Sequence, residues 1–302
     1  MFTRAALYVD EIARRGSIRK AAERLRISSS AIDRQILQLE DHLGMQLFER
    51  LPQGLRLTAA GEILVDSIRR WRRELDRVRS QLDDLQGLRR GEVSIALVEG
   101  ATEFFSKSLM AFQQLYPAIA YRLHVAGSQV VADLVLSGEY DVGLTFNPPE
   151  THALRVERTT IYQLGLVVPP GHALAARAEV SLAECSDYPL VIPDETISLR
   201  AVLDKAWGRT VGGNPRYAVS VNSIGAIKSL VKAGMGVGTL TALDAFAEIN
   251  NGELVFLPLT DPNLLLSVLC VVSASGRTLS VPASLLLQHL SAAMLAEPAP
   301  SI

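Results

Sequence analysis

Residues 17–61 read SIRKAAERLRISSSAIDRQILQLEDHLGMQLFERLPQGLRLTAAG, and the reading of this stretch decides the fold of the N-terminal third. Ser17 is placed to cap a short helix from Ile18 to about Leu25, with Ile18, Ala21, Ala22 and Leu25 on one face at i, i+3, i+4, i+7 spacing. A tight Arg26-Ile27 turn follows, and Ser28 opens a longer helix to Leu43. Its apolar stripe is Ala31, Ile32, Ile36, Leu39 and Leu43, while Ser29, Ser30, Asp33, Arg34 and Gln35 face elsewhere. A short helix, a turn and a longer helix with polar N-terminal residues make helix-turn-helix geometry. Beyond Gly44, the pieces Leu47-Phe48-Glu49-Arg50, Pro52-Gln53-Gly54 and Leu55-Arg56-Leu57 read as a small β-wing.

Upstream, residues 3 to 15 predict a helix with Ala6, Leu7, Val9 and Ile12 inward, stopped by Gly16. Its Asp10, Glu11, Arg14 and Arg15 interrupt any apolar region that a secretion signal would need, so the N-terminus reads as mature cytoplasmic sequence. Downstream, Thr58 caps a helix of roughly 30 residues by the same periodicity. Leu64, Ile68, Trp71, Leu75, Val78, Leu82 and Leu85 recur on it at alternating spacings of four and three, a heptad seam suited to dimerisation. Its other faces carry Arg69, Arg70, Arg72, Arg73, Arg77 and Arg79. The same seam also fits one more core helix packed within a single chain.

The whole chain, 302 residues with 48% apolar, 21% charged and 6% aromatic residues, has the profile of a folded globular protein of about two domains. Its longest apolar windows fall short of the ~18 residues of a membrane helix. The net charge of −2 hides an asymmetry: residues 1–91 hold 18 Lys and Arg against 13 Asp and Glu, and residues 92–302 hold 12 against 19. A basic end joined to an acidic remainder fits polyanion binding by one end only, and it equally fits a solvated helical face. Cys185 and Cys270, far apart in apolar contexts, read as buried free thiols rather than a disulfide or metal pair.

From Glu92 onward, short apolar runs alternate with helical periods, which predicts βα units and a largely parallel sheet. Strands are expected at 93–98, 120–125, 142–146, 164–168, 190–192, 217–221, 236–240 and 265–272. Helices are expected near 103–116, 128–138, 198–208, 223–233, 241–250 and 281–296, before a frayed Pro-rich tail at 297–302.

Residues 17–61 closely resemble the winged helix-turn-helix of LysR-type transcriptional regulators. The resemblance continues through Tyr116-Pro117, Leu136-Ser137-Gly138-Glu139-Tyr140-Asp141, Val167-Val168-Pro169-Pro170-Gly171-His172 and Val231-Lys232-Ala233-Gly234-Met235-Gly236-Val237, so it covers nearly the whole chain. It implies a winged helix-turn-helix at 1–58, a linker helix at 59–91 and, at 92–302, a two-lobed α/β effector domain like periplasmic binding proteins. Lobe one would comprise 92–160 and 267–296, and lobe two 161–266. The resemblance further implies double-stranded DNA, a small-molecule effector and further copies of the chain (homodimer or homotetramer) as partners, with RNA polymerase as one more. No cofactor, no metal, no membrane partner and no enzymatic activity are expected. It places Ser28, Ser29, Ser30, Asp33 and Arg34 near DNA, with Arg50 and Arg56 on backbone or minor groove. Many relatives have Gln where Ser29 stands and Ser where Asp33 stands; here Asp33 either reads a cytosine amine or pairs with a neighbouring arginine.

Effectors in such two-lobed folds sit at strand C-termini and helix N-termini. The residues expected there are Gly100, Ala101, Thr102 and Glu103, then Phe146 and Asn147, and in the second lobe Thr196, Ile197, Ser198, Asn222 and Ser223. Each Ser or Thr equally reads as an ordinary helix cap. Small carboxylates are common effectors among relatives, yet Glu99 and Glu103 would flank the cleft's mouth and repel one unless they point away. Arg200 either restores an anion site or lies on the surface.

Rival readings fail on context. Gly234-Met235-Gly236-Val237-Gly238 follows a helical stretch and opens a strand, the reverse of a dinucleotide-binding fingerprint. The five histidines are isolated, and neither HExxH nor GxSxG occurs. The remaining alternative is a small-molecule binding module whose basic N-terminus serves assembly rather than DNA.

Overall fold

The structure, a computed structural model, describes residues 4–52, 54–85, 91–261, 264 and 266–296; from residue 73 to the end of the long helix it describes the side chains of Glu74, Leu75, Val78 and Leu82. Gln53, Leu85 of the expected seam, Arg73, Arg77 and Arg79 as side chains, and the tail at 297–302 lie outside the described residues. The chain forms two compact units, 1–82 and 83–302.

In the first unit, α1 (Arg4–Arg15), α2 (Ile18–Leu25) and α3 (Ser29–Leu43) are followed by a hairpin of β1 (Phe48–Leu51) and β2 (Gly54–Leu57) and by α4 (Ala59–Leu85). Side-chain caps set the boundaries. The Ser17 hydroxyl accepts from the Lys20 N–H and the Ser28 hydroxyl from the Ala31 N–H. Between them Arg26 closes α2 in the left-handed region at φ 56°, unusual for a side chain with a Cβ, and Gly44 closes α3 at φ 66°. Gly54 is required at the wing, because a Cβ there would lie 2.6 Å from the Gly16 carbonyl oxygen that accepts from the Leu55 N–H. Val9, Ile12, Ala21, Ala22, Ile32, Ile36, Leu47, Phe48, Val65 and Ile68 form one core.

That core shortens the seam. Ile68 is buried in it and so is not free to meet a second chain; Leu64 packs against it half-buried, Leu75 is half-buried, and Trp71 (59% exposed), Val78 (42%) and Leu82 (55%) are open. Asp10, buried on α1, ties the same helix down: its carboxylate accepts from Arg69 Nε at 2.8 Å and pairs with Arg14 at 3.1 Å and Arg72 at 3.8 Å.

The second unit has two sheets. The first, in lobe one, runs β4-β3-β5-β12-β6 and is built from β3 (Gly91–Leu97), β4 (Ile119–Val125), β5 (Val142–Phe146), β6 (Leu154–Tyr162) and β12 (Ser267–Ala274), with α5 (Thr102–Leu115), α6 (Ser128–Leu136) and α11 (Val281–Ala296) packed on it. The second, in lobe two, runs β11-β7-β10-β8-β9 and is built from β7 (Leu164–Val168), β8 (Leu190–Pro193), β9 (Tyr217–Val221), β10 (Val237–Thr241) and β11 (Val255–Pro258), with α7 (Leu182–Cys185), α8 (Ser198–Thr210), α9 (Ile224–Lys232) and α10 (Phe246–Asn250).

The sheets are mixed rather than largely parallel: β3–β4, β3–β5, β8–β9 and β8–β10 are parallel, while β12 pairs antiparallel with β5 and β6, and β7 with β10 and β11. Two strands escaped the sequence reading. The β6 segment, LRVERTTIY, carries three charges and lies at a sheet edge, so it shows no apolar run; β11 is four residues ending in Pro258. The expected helix over 241–250 begins only at Phe246, because Asp244 draws the Thr241 N–H (2.8 Å) and hydroxyl (2.7 Å) into a turn. Cys185 and Cys270 are buried and unbridged, and burial pushes their thiols up to about 12 and about 11.

Candidate functional site

At the N-terminus of α3, Ser28 is consumed as the cap and also accepts from the Ser30 hydroxyl at 3.3 Å. Ser29, Ser30 and Arg34 are exposed, and Arg34 has no hydrogen bond or ion pair among the described residues. Asp33 takes the pairing alternative: its Oδ1 accepts from Arg50 of the wing at 3.0 Å. Arg56, the other wing arginine, is held by Glu49 across the hairpin at 2.7 Å. Both wing arginines therefore reach solvent already tied to carboxylates, in exposed, water-screened pairs that a phosphate can displace.

The second site is a cavity of about 250 Å³ between the lobes of the second unit, small for a metabolite pocket. Of the residues expected there, Gly100, Phe146, Thr196, Ile197, Ser198 and Asn222 line it. The others do not. Ala101 is buried behind it, and Thr102 and Asn147 are exposed outside it, the Asn147 Oδ1 accepting from the Val268 N–H. Glu103, in the first turn of α5, pairs with Lys107 on its own helix at 3.1 Å. The Ser223 hydroxyl caps α9. Arg200 is held by Asp204 at 2.8 Å, away from the cavity.

Sequence reasoning missed the N-terminus of α6 and Asp244, and it misjudged Glu99. The Glu99 carboxylate, from lobe one, accepts from the Ser223 hydroxyl (3.1 Å) and from the Ile224 and Gly225 N–H groups (2.9 Å each) at the first turn of α9 in lobe two. A negative group there answers both the unpaired N–H groups and the helix dipole. It bridges the lobes. The Gly127–Thr196 contact does the same by shape, since a Cβ on Gly127 would lie 2.4 Å from the Thr196 carbonyl oxygen. Two further helices, α6 and α8, open on the cavity from opposite lobes with no side-chain cap, leaving first-turn N–H groups available. Asp244 is 5% exposed, and burial above all pushes its carboxyl up to about 6. Among the described residues, none forms a cluster placed to hold a metal ion, and no helix is long and apolar enough to cross a membrane.

Two family models match this chain. One, described as a bacterial regulatory helix-turn-helix protein of the lysR family, covers residues 3–62, and the other, the LysR substrate binding domain, covers residues 86–295. The RuBisCO operon transcriptional regulator of Allochromatium vinosum is 30% identical over 82% of both chains. The transcriptional activator CmpR of Synechocystis is 26% identical over 82% of this chain and 81% of its own. Among solved structures, full-length CbnR complexed with its target DNA superposes with a TM-score of 0.71 at 22% identity, over 97% of this chain and all of that one. The CcmR regulatory domain of Synechocystis in complex with 2-PG does so with 0.63 at 23% identity, over 70% of this chain and all of that one.

Proposed function

Because this chain belongs to the LysR family of bacterial transcriptional regulators, we infer that it binds dyad-symmetric operator DNA through α3 and the wing and answers to a small effector held between its two lobes. The observation that carries the DNA half is the exposed row of Ser29, Ser30 and unpaired Arg34 at the start of a helix-turn-helix second helix. Hydroxyls and N–H groups at a helix start suit phosphate, and a free guanidinium one turn in can address a guanine edge bidentately. CbnR in the structure named above is complexed with its target DNA; DNA binding by way of α3 is proposed for this chain. The protein acts in the cytoplasm and catalyses no reaction, as its regulator relatives suggest.

A salt-dependent gel shift tests this, since neutralised phosphates make log K fall with log salt. Arg34→Ala is expected to cost about 1–3 kcal/mol on the operator and to relax one base preference. Asp33→Ala, by releasing Arg50, is expected to tighten binding to all sequences alike and to steepen the salt slope by about one unit. Unchanged preference in the first variant removes Arg34 from base readout; an unchanged slope in the second shows that Arg50 never reaches phosphate.

Self-association is assigned to the outer half of α4, where Trp71, Val78 and Leu82 expose apolar surface on one helix face. A second copy of α4 is the occupant, making dimers that pair into tetramers and meet RNA polymerase on the promoter. Trp71→Ala with Leu82→Asp should move sedimentation to the monomer while thermal melting of the first unit stays within about 1 kcal/mol, because neither side chain is buried in its core. A double variant that sediments like the parent places the interface elsewhere.

A further inference from the structure

We propose that the cavity between the lobes takes a small zwitterion of the α-amino acid class, its ammonium group on Asp244 and its carboxylate on the open N-termini of α6 and α8. This rests on the reading of the cleft as the effector site and adds the chemistry of what fills it.

The polar lining holds two kinds of group. α6 begins at Gly127 and α8 at Ile197, caps that offer no side-chain acceptor, so N–H groups of both first turns stand open to an anion. Glu99 and Asp244 line the same cavity, and among the described residues no Lys, Arg or His does. The nearest cations are engaged: Lys228 with Glu248 at 2.9 Å and Lys107 with Glu103 at 3.1 Å. With Lys228, the cation that acts on Asp244, already paired to Glu248, the two carboxylates repel a dianionic phosphate more strongly than a singly charged carboxylate.

The two carboxylates are not equivalent. Three donors satisfy Glu99 across both of its oxygens. Asp244 gives only Oδ2 to Thr241; its Oδ1 has no hydrogen bond among the described residues and stands over Gly100, so close that a Cβ there would lie 1.9 Å from it. Asp244 lines the cavity, so this free acceptor oxygen belongs to a largely buried carboxylate that meets the cavity, and a ligand ammonium is the group that answers it by both charge and hydrogen bond. Only glycine lets lobe one pack this closely against the Asp244 carboxylate. An anion alone would satisfy the helix termini and leave Asp244 unrelieved; an amine alone would do the reverse. A group carrying both satisfies the two ends together, and the small volume restricts it to a short side chain.

Calorimetry on the full-length protein near neutral pH tests this with glycine, L-alanine, L-serine and L-valine, with glycolate and L-lactate as matched acids lacking the amine, and with inorganic phosphate. At least one amino acid should bind at millimolar concentration or below, and its hydroxy-acid counterpart roughly tenfold or more weakly. Asp244→Asn should lower the amino acid's affinity by a similar factor without weakening the hydroxy acid, and Ser198→Phe, which fills the cavity, should abolish binding. The comparison of each amino acid with its hydroxy acid on the natural protein needs no variant and decides the amine assignment by itself.

Phosphate or a hydroxy acid binding more tightly than every amino acid, and gaining affinity in Asp244→Asn, overturns the amine assignment while loss in Ser198→Phe keeps the cleft. Absence of binding by all four amino acids at millimolar concentration overturns it equally. Binding that survives Ser198→Phe unchanged instead overturns the cleft as the effector site.

Discussion

Asp244→Asn is expected to remove a loss of stability that the natural chain undergoes between about pH 4 and pH 6, and so to stabilise the second unit near neutrality. Burial holds this carboxyl at about 6 in the folded state against an ordinary 3.8, so the folded chain keeps its proton where the unfolded chain has released it. Stability from that difference is fully present below pH ~4 and is lost as the pH rises through about 6. A displacement of about two units corresponds to roughly 3 kcal/mol. Asparagine can still accept from the Thr241 N–H and hydroxyl through its carbonyl oxygen, so the turn survives the exchange. The check is chemical denaturation of both proteins at several pH values: the variant should gain on the parent steadily across that window. A difference that stays flat with pH would mean that Asp244 is charged without strain. The expectation agrees with a site whose charge is relieved by a ligand, since such groups commonly cost stability in the empty protein.

Asp10→Ala should cost about 2–3 kcal/mol in the stability of the first unit. One buried carboxylate there serves Arg69, Arg14 and Arg72. Its removal leaves three guanidinium groups facing each other without an anion. Breaking a buried pair costs about 3–5 kcal/mol, and the lower figure applies because the three arginines are 37–53% exposed and water takes part of the charge. Added salt should recover part of the deficit by screening the arginines. Hydrogen exchange of the Val9, Ile12 and Ile32 amides under rising denaturant would show it, and a cost under about 0.5 kcal/mol would mean that the helix is anchored by Val65 and Ile68 alone.

How far these sites could be read from the chain depended on the range of the interaction. Ser17, Ser28 and Gly44 act within one helical turn of themselves, so caps and stops of the first unit were plain in the residue order. The α4 seam was legible as a period but not as a boundary: whether Ile68 and Trp71 face the same partner depends on where the helix leaves its own core. Glu99 looked like a carboxylate repelling an anionic ligand, whereas it spends its charge on α9, 124 positions away, a contact with no local signature. Asp244 was hidden inside an apparent helical period because a Thr-to-Asp turn and a helix start share the same polar residues. Thr102 and Ser223 were drawn into the cleft by their position at helix starts, which made each a cap candidate and a ligand candidate alike.

The order of strands in lobe one has a consequence for the chain as it leaves the ribosome. In β4-β3-β5-β12-β6, the sole neighbour of β6 among the described residues is β12, and all of lobe two, from Leu164 to Pro258, is made between them. The nascent β6 therefore waits about a hundred residues for its partner, on the order of 5–20 s at ordinary elongation rates. During that wait it is an unpaired strand, the kind of edge that recruits wrong partners. Arg155, Glu157 and Arg158 lie along it. The charges that disguised this strand from its pattern are those that keep a solitary strand in solution until synthesis delivers its mate.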